Sequence, residues 1–398
     1  MPESRGANAE PRRDATRLQG DSAAPSVPPV EGGVSRTPGP RSGNGQHRFR
    51  RQVPAAIVAG GAGFLGSHLC DRLIADGYRV YCVDSFYTGR MPNVEHLAGE
   101  PRFALMEHDV RTPLPSMPDV TEIYNLASPA SPIHYQKDPV HTVTTNVVGT
   151  LNLVDLAARL GARFLHASTS EVYGDPEVHP QPESYRGCVS PTGPRACYDE
   201  GKRVAEAICY DFLRMKRADV RVTRIFNTYG PRMRADDGRI ISNLITQALR
   251  GEPLTINGSG KQTRSFCYVS DLIEGMRRLM TIDRPPATPV NLGNPGEFTV
   301  LEVAEIVAQL TRSDMSVIYR PLPEDDPQRR RPDIELAAEL LGWLPRIPLR
   351  EGLKSTIDWF SRTLERPRPG IAAARAAKPK SPLLPVIGPA LATRGADR

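Results

Sequence analysis

Short apolar runs alternate along the chain with stretches of helical period, and this alternation predicts a parallel α/β order. The run PAAIVA at 54–59 is wholly apolar and ends in glycines, the pattern of a buried strand entering a turn. The following FLGSHLCDRLIADGY has helical period and is expected to stop near Gly77, and RVYCVD reads as the next strand. Further buried strands are expected at 121–127, 162–168 and 220–227, separated by helical segments. After Asn227 comes a polar loop, then the helical IISNLITQALRG, a strand and turn at EPLTINGSG, and helices alternating with loops over 285–360. The expected fold is α/β, a Rossmann-type doubly wound parallel sheet with a smaller C-terminal α/β substrate-binding lobe. The sheet part is assigned to 53–230, with returns near 262–275, and the lobe mainly to 231–362. A ligand is expected in the crevice at the carboxyl edge of the strands.

The flanks differ in texture. Residues 1–52 and 363–398 are rich in Pro, Gly, Arg and Ser without hydrophobic period, and both are expected to be disordered. They also hold the positive charge. Nine arginines face five acidic residues in 1–52, and seven basic residues face one Asp in 366–398, so of a total of +6 the intervening part carries −4. A mildly acidic folded part argues against nucleic acid as a partner. No apolar run is long enough to span a bilayer and the first residues lack the apolar stretch of a signal peptide, so no membrane association is expected. The six cysteines show no metal spacing and the eight histidines form no ligand set, so no metal is expected and reduced thiols suit a cytoplasmic protein.

Two motifs carry chemistry. GGAGFLG, with Gly60, Gly63 and Gly66 between a predicted strand and a predicted helix, can turn backbone amides and a helix N-terminus toward a pyrophosphate. The next strand ends in Asp84, 18 residues beyond Gly66, where a carboxylate accepts hydrogen bonds from ribose hydroxyls and repels a 2′-phosphate, favouring NAD over NADP. In YDEGK, Tyr198 and Lys202 are four residues apart and share one helix face. A nearby ammonium favours phenolate, so Lys202 is expected to lower the Tyr198 pKa and make it a base for a sugar hydroxyl. Tyr-x-x-x-Lys alone describes many solvated helix faces. Here STSEVYG precedes it at a strand end, and its hydroxyls and carboxylate can orient or deprotonate a substrate.

Together GGAGFLGSHL, STSEVYG, YDEGK and RIFNTYGPR resemble the extended short-chain dehydrogenase/reductase superfamily of nucleotide-sugar enzymes. Within it NLASPASP, STSEVYGDPEVHPQ, GPRACYDEGKRVAE, GEPLTINGSGKQTRSF, VNLGNP and DDPQRRRPDI resemble the UDP-glucuronic acid decarboxylases, or UDP-xylose synthases, over roughly 55–360. The resemblance implies tightly held NAD, oxidation of the sugar 4-hydroxyl to a ketone, loss of carbon dioxide and return of the hydride. The chemistry is coherent, because a carboxylate on the sugar's 5-position is β to the new ketone and leaves its electrons in an enolate. Tyr198 takes the 4-hydroxyl proton, Lys202 also holds the nicotinamide ribose, and Thr169 hydrogen-bonds the hydroxyl. In the related 4,6-dehydratases an Asp–Glu pair follows this threonine. Here Ser170 replaces the Asp, so the acid that would expel a 6-hydroxyl is missing, while Glu171 sets a negative charge near the uronate, or else orients water or the ring.

The same resemblance implies that Phe64, Leu65, Ser85, Thr88, Gly89, Asp109, Val110, Ser128, Thr145 and Thr228 join the cofactor site. It places Arg239, Arg264 and Asn227 on the diphosphate, Arg330 near the sugar carboxylate, and Ser131 and Tyr135 in the loop around the sugar. Thr144 and Ala158 stand where relatives often carry Lys, and Arg186 where they carry Trp. A homodimer is expected through helices around 140–160 and 195–217. A UDP-glucuronate or UDP-glucose 4-epimerase shares the Tyr–Lys pair and is the nearest competing reading. A non-catalytic NAD-binding regulator is the other.

Overall fold

A computed structural model of the chain describes residues 53–322 and 329–364. The extensions expected to be disordered lie outside these residues, apart from Thr363 and Leu364, which belong to the helix Leu349–Leu364. Seven strands form the main sheet: β1 (Ala55–Ala59), β2 (Arg79–Asp84), β3 (Phe103–Glu107), β4 (Val120–Asn125), β5 (Arg163–Thr169), β6 (Asp219–Ile225) and β7 (Val290–Leu292). Their order is β7-β6-β5-β4-β1-β2-β3 and every pairing is parallel. The chain moves outward one way from β1 through β2 to β3, then returns to β4 on the other side. That reversal opens a crevice at the carboxyl ends of β1 and β4.

Burial explains which strands the residue pattern displays. All five β1 residues are buried, as a strand covered on both faces requires, and the last six of seven in β5 are too. The edge strand β3 has no buried residue and β7 is three residues long, so neither carries the apolar run that announces a strand. On one face the helix α1 (Phe64–Ala75) packs with the helix Val269–Thr281 around Leu69, Leu73, Met276 and Leu279. On the other, helices Thr150–Leu160 and Ala196–Arg214 bury Leu153, Leu156, Cys209 and Phe212. A third core, around Leu244, Ile245, Val303, Val307 and Phe360, lies under the helices Ile240–Arg250, Val300–Thr311 and Leu349–Leu364.

A small three-stranded sheet delivers two arginines together. Thr263–Ser265 pairs antiparallel with Glu297–Thr299 and parallel with Arg329–Arg330, a register that sets Arg330 opposite Arg264. Both are buried, at 5% and 4% exposure, depths at which a guanidinium needs an anionic or carbonyl partner.

Candidate active site

The turn after β1 is shaped by close approach. Gly60 has φ +77°, and a Cβ there would sit 2.8 Å from the Leu126 backbone; one on Gly66 would sit 2.1 Å from the Gly60 carbonyl oxygen. α1 begins at Phe64 with no side chain capping it, which leaves its first amides to face the crevice. At the end of β2, Asp84 is 7% exposed and accepts from the amides of Ala62 (2.9 Å) and Phe86 (2.8 Å). Burial raises its pKa and those amides pull against it. Its carboxylate thus pins the glycine loop as well as facing the cavity, and Gly89 lies so close that a Cβ would meet it at 2.5 Å. An uncapped helix start, a side-chain-free loop and an acidic residue at the second strand fit a dinucleotide.

All the residues nominated from the sequence except Gly89 line one cavity of about 680 Å³. Several already hold partners. The Asp109 carboxylate is forked by Arg111 at 2.6 and 3.0 Å, which holds it below the usual carboxylate range. Arg239 pairs with Asp237 at 2.6 Å, Ser131 contacts His134 Nδ1 at 2.6 Å, and Thr145 donates to the His141 carbonyl at 2.7 Å. Val110 abuts Gly149, whose Cβ would meet its side chain at 2.6 Å. Tyr87 and His141, not singled out from the sequence, also line the cavity, their rings stacked 4.2 Å apart.

The Ala196–Arg214 helix brings Tyr198 and Lys202 to the end of β5, and both are buried. The Tyr198 ring lies flat against Tyr135, centroids 5.0 Å apart and 2° between planes. Burial and other neighbours stand ahead of the lysine among the influences on this phenol. Burial pushes the phenol up to about 12; a hydrogen bond from Thr169 draws it back, while Glu171 raises it. Lys202 instead directs Nζ to the Ala167 carbonyl on β5, 2.8 Å away, and burial lowers its own pKa to about 8. The ammonium is anchored on the strand.

β5 passes through Thr169 into the 3-10 turn Ser170–Tyr173, and the Thr169 hydroxyl accepts from the Glu171 amide at 3.2 Å. The Glu171 carboxylate is paired with two arginines. Arg330 donates to both of its oxygens, to Oε2 at 2.7 Å, and Arg195 donates to Oε2 as well. Burial would raise its pKa, but the charges of Arg330 and Arg195 hold it at about 2. Arg195 was missed from the sequence. It stands three residues before Tyr198, at the helix start, and its Nε lies 3.7 Å from Asp199 Oδ2 one turn along. Ser170, 2% exposed, adds a hydroxyl and no carboxylate. The cavity therefore joins a buried phenol, a hydroxyl beside it, and a carboxylate clasped between guanidinium groups.

The sequence profile of the NAD dependent epimerase/dehydratase family matches residues 56–293. UDP-glucuronic acid decarboxylase 1 of Danio rerio is 54% identical over 331 residues, covering 81% of this chain and 78% of that protein. UDP-glucuronic acid decarboxylase 4 of Arabidopsis thaliana is 56% identical over 312 residues, covering 78% and 70%. Among solved structures, UDP-glucuronic acid 4-epimerase from Bacillus cereus, in complex with UDP-glucuronic acid and NAD, superposes with a TM-score of 0.71 at 28% identity, covering 78% of this chain and 99% of that one.

Proposed function

The chain belongs to the NAD dependent epimerase/dehydratase family and, within it, to the UDP-glucuronic acid decarboxylases, and we infer from this how its residues divide the conversion of UDP-glucuronate to UDP-xylose. It is an NAD-dependent enzyme of the carboxy-lyase type that acts on a UDP-sugar through a 4-keto intermediate. When bound, NAD supplies the acceptor for the hydride at the sugar's C4, its return at the end, and a cationic ring that favours phenolate.

The chain's own residues move protons and place charge. Thr169 and Tyr198 receive the 4-hydroxyl, Tyr198 taking its proton. Lys202, anchored on Ala167, has further N–H groups that would hold the nicotinamide ribose. Asp84 would hold the adenosine ribose, and the Gly60–Gly66 turn the pyrophosphate. Arg239, Arg264 and Asn227 line the cavity and would take the substrate diphosphate. With the ketone formed, the C5–C6 bond breaks, its electron pair enters the enolate, and carbon dioxide leaves. Arg330 and Arg195, held on Glu171, keep positive charge beside the carboxylate and then beside the enolate oxygen. A proton adds at C5.

One observation carries the decarboxylase reading of this site: Ser170 and Glu171 follow Thr169, so a hydroxyl stands where a 4,6-dehydratase would need a proton-donating acid, and Glu171 beside it is clasped by Arg330 and Arg195. The test is mass spectrometry of the product from UDP-glucuronate with carbon dioxide trapped in parallel. A 4-epimer without gas release would transfer the chain to the epimerase reading. A protein that leaves the sugar unchanged would transfer it to the regulatory one.

The division into a dinucleotide-binding part at 53–230 and a lobe at 231–362 is proposed on the same footing. So is a homodimer, supported by Val148, Leu151 and Val204, which are exposed by 38–44% on the helical face where the family's subunits would meet. Six free cysteines support a cytoplasmic setting. No helix among the described residues is long and apolar enough to cross a membrane.

A further inference from the structure

Asp199 has no part in the mechanism above, yet it is 6% exposed and adjacent in sequence to the base. Its Oδ2 lies 3.7 Å from Arg195 Nε, beyond hydrogen-bond length, and its Oδ1 has no hydrogen-bond partner among the described residues. A carboxylate so placed is poorly solvated and weakly paired, because Glu171 takes the donated N–H of the same guanidinium. From other elements Glu171, Arg330 and Tyr135 face it; from its own helix Arg195, Cys197, Tyr198 and Glu200 do. Among the described residues, the row Asp199–Arg195–Glu171–Arg330 thus holds two cations and two anions before any substrate arrives.

We propose that Asp199 is a positioning residue that takes up a proton when the uronate carboxylate enters, handing the charge of Arg195 to the substrate, and releases it once that carboxylate has gone as carbon dioxide. The inference rests on the decarboxylase reading and deepens it. A third anion near two guanidinium groups can be accommodated by protonating the least well paired of the carboxylates. Asp199 is that one: burial first, and then Glu171, raise its pKa to about 7, whereas Glu171 sits at about 2. The entering negative charge raises Asp199 further, so binding is favoured at low pH and weakens as pH rises through the free-enzyme value toward the bound one. Charge also balances over the cycle. The reaction consumes one proton, at C5, as an anionic carboxylate becomes neutral carbon dioxide, and the proton on Asp199 is lost to solvent when the product, which has no carboxylate, remains.

The test uses enzyme loaded with reduced cofactor, which binds UDP-glucuronate without oxidising it. Calorimetric titration in two buffers of different ionisation enthalpy counts protons taken up, with UDP-xylose as the ligand lacking a carboxylate. For a coupling of about one pK unit, uptake is about half a proton midway between the free and bound values, and affinity falls up to about tenfold across the window. UDP-xylose shows neither effect, and Asp199→Asn removes both. Equal uptake with the two ligands, no uptake, or uptake unchanged in Asp199→Asn overturns the proposal. If that variant fails to fold, the comparison of ligands on the unaltered enzyme still decides. Carbon dioxide evolution without differential proton uptake would sink this inference alone and leave the decarboxylase reading standing.

Discussion

Replacing Glu171 with Gln keeps the shape of the clasp and removes its charge. The carboxylate is buried, and the charges of Arg330 and Arg195 hold it at about 2, well below the usual glutamate value of about 4.5, a difference on the order of 3 kcal/mol at neutral pH. The folded pKa is the lower, so this contribution is present above about 4.5 and is lost as pH falls toward about 2. Leaving two buried guanidinium groups short of a counter-charge carries a cost of the same order. On a fold of roughly 300 residues, about 3 kcal/mol lowers Tm by about 5 °C. The sugar should respond in the opposite sense. Were a uronate to lie about 6 Å from this carboxylate, the repulsion at an effective dielectric of about 20 would be about 2–3 kcal/mol, an upper bound because two arginines already neutralise Glu171. Relief of that repulsion tightens the ground state, so KM falls by up to about tenfold while kcat for carbon dioxide release falls with it. Thermal melting at fixed protein and NAD concentration, and steady-state assay of carbon dioxide, read the two effects separately. A Gln variant that melts within a degree of the parent at neutral pH, or one whose KM rises at unchanged kcat, would refute the charge accounting for Glu171.

Tyr198→Phe removes the base and should lower kcat by about 10²–10⁴, with bound NAD unchanged by absorbance of the purified protein; normal turnover would contradict the role. Gly66→Ala drives a Cβ to 2.1 Å from the Gly60 carbonyl oxygen and should yield protein purified without dinucleotide, whereas full NAD content would show that the turn can yield. Asp84→Ser removes the charge that repels a 2′-phosphate and should narrow the NAD over NADP preference, measured as the ratio of dissociation constants. It also frees the amides of Ala62 and Phe86, so NAD affinity itself should fall.

The residue pattern displayed what burial on two faces imposes. β1 and β5 are nearly continuous apolar runs because helices cover both sides of them, and the α1 boundary followed from the glycine turn and Gly77. Edge position hid β3, whose residues alternate no more than a loop's, and brevity hid β7. Both take their register from neighbours on the sheet, pairing with β2 and β6, which no local window contains.

The site divided along a similar line. Motif residues were readable because each is fixed by a local need: a glycine where a Cβ would strike a carbonyl, a carboxylate at a strand end, two residues four apart on a helix. What they do to one another was not, since the lysine's reach to Ala167 and the arginines' grasp on Glu171 join segments 24 to 159 residues apart. Arg195 shows the limit most sharply. At the head of a helix it reads as an ordinary surface cation, and only the 3-10 turn after β5, delivered by the parallel sheet, converts it into a partner for the catalytic-pocket carboxylate. Burial under neighbouring elements likewise explains why the phenol stands high although Tyr-x-x-x-Lys sets an ammonium on the same helix face. Helical spacing brings the two side chains to one face, but the charge each one meets is set by strands and turns elsewhere in the chain.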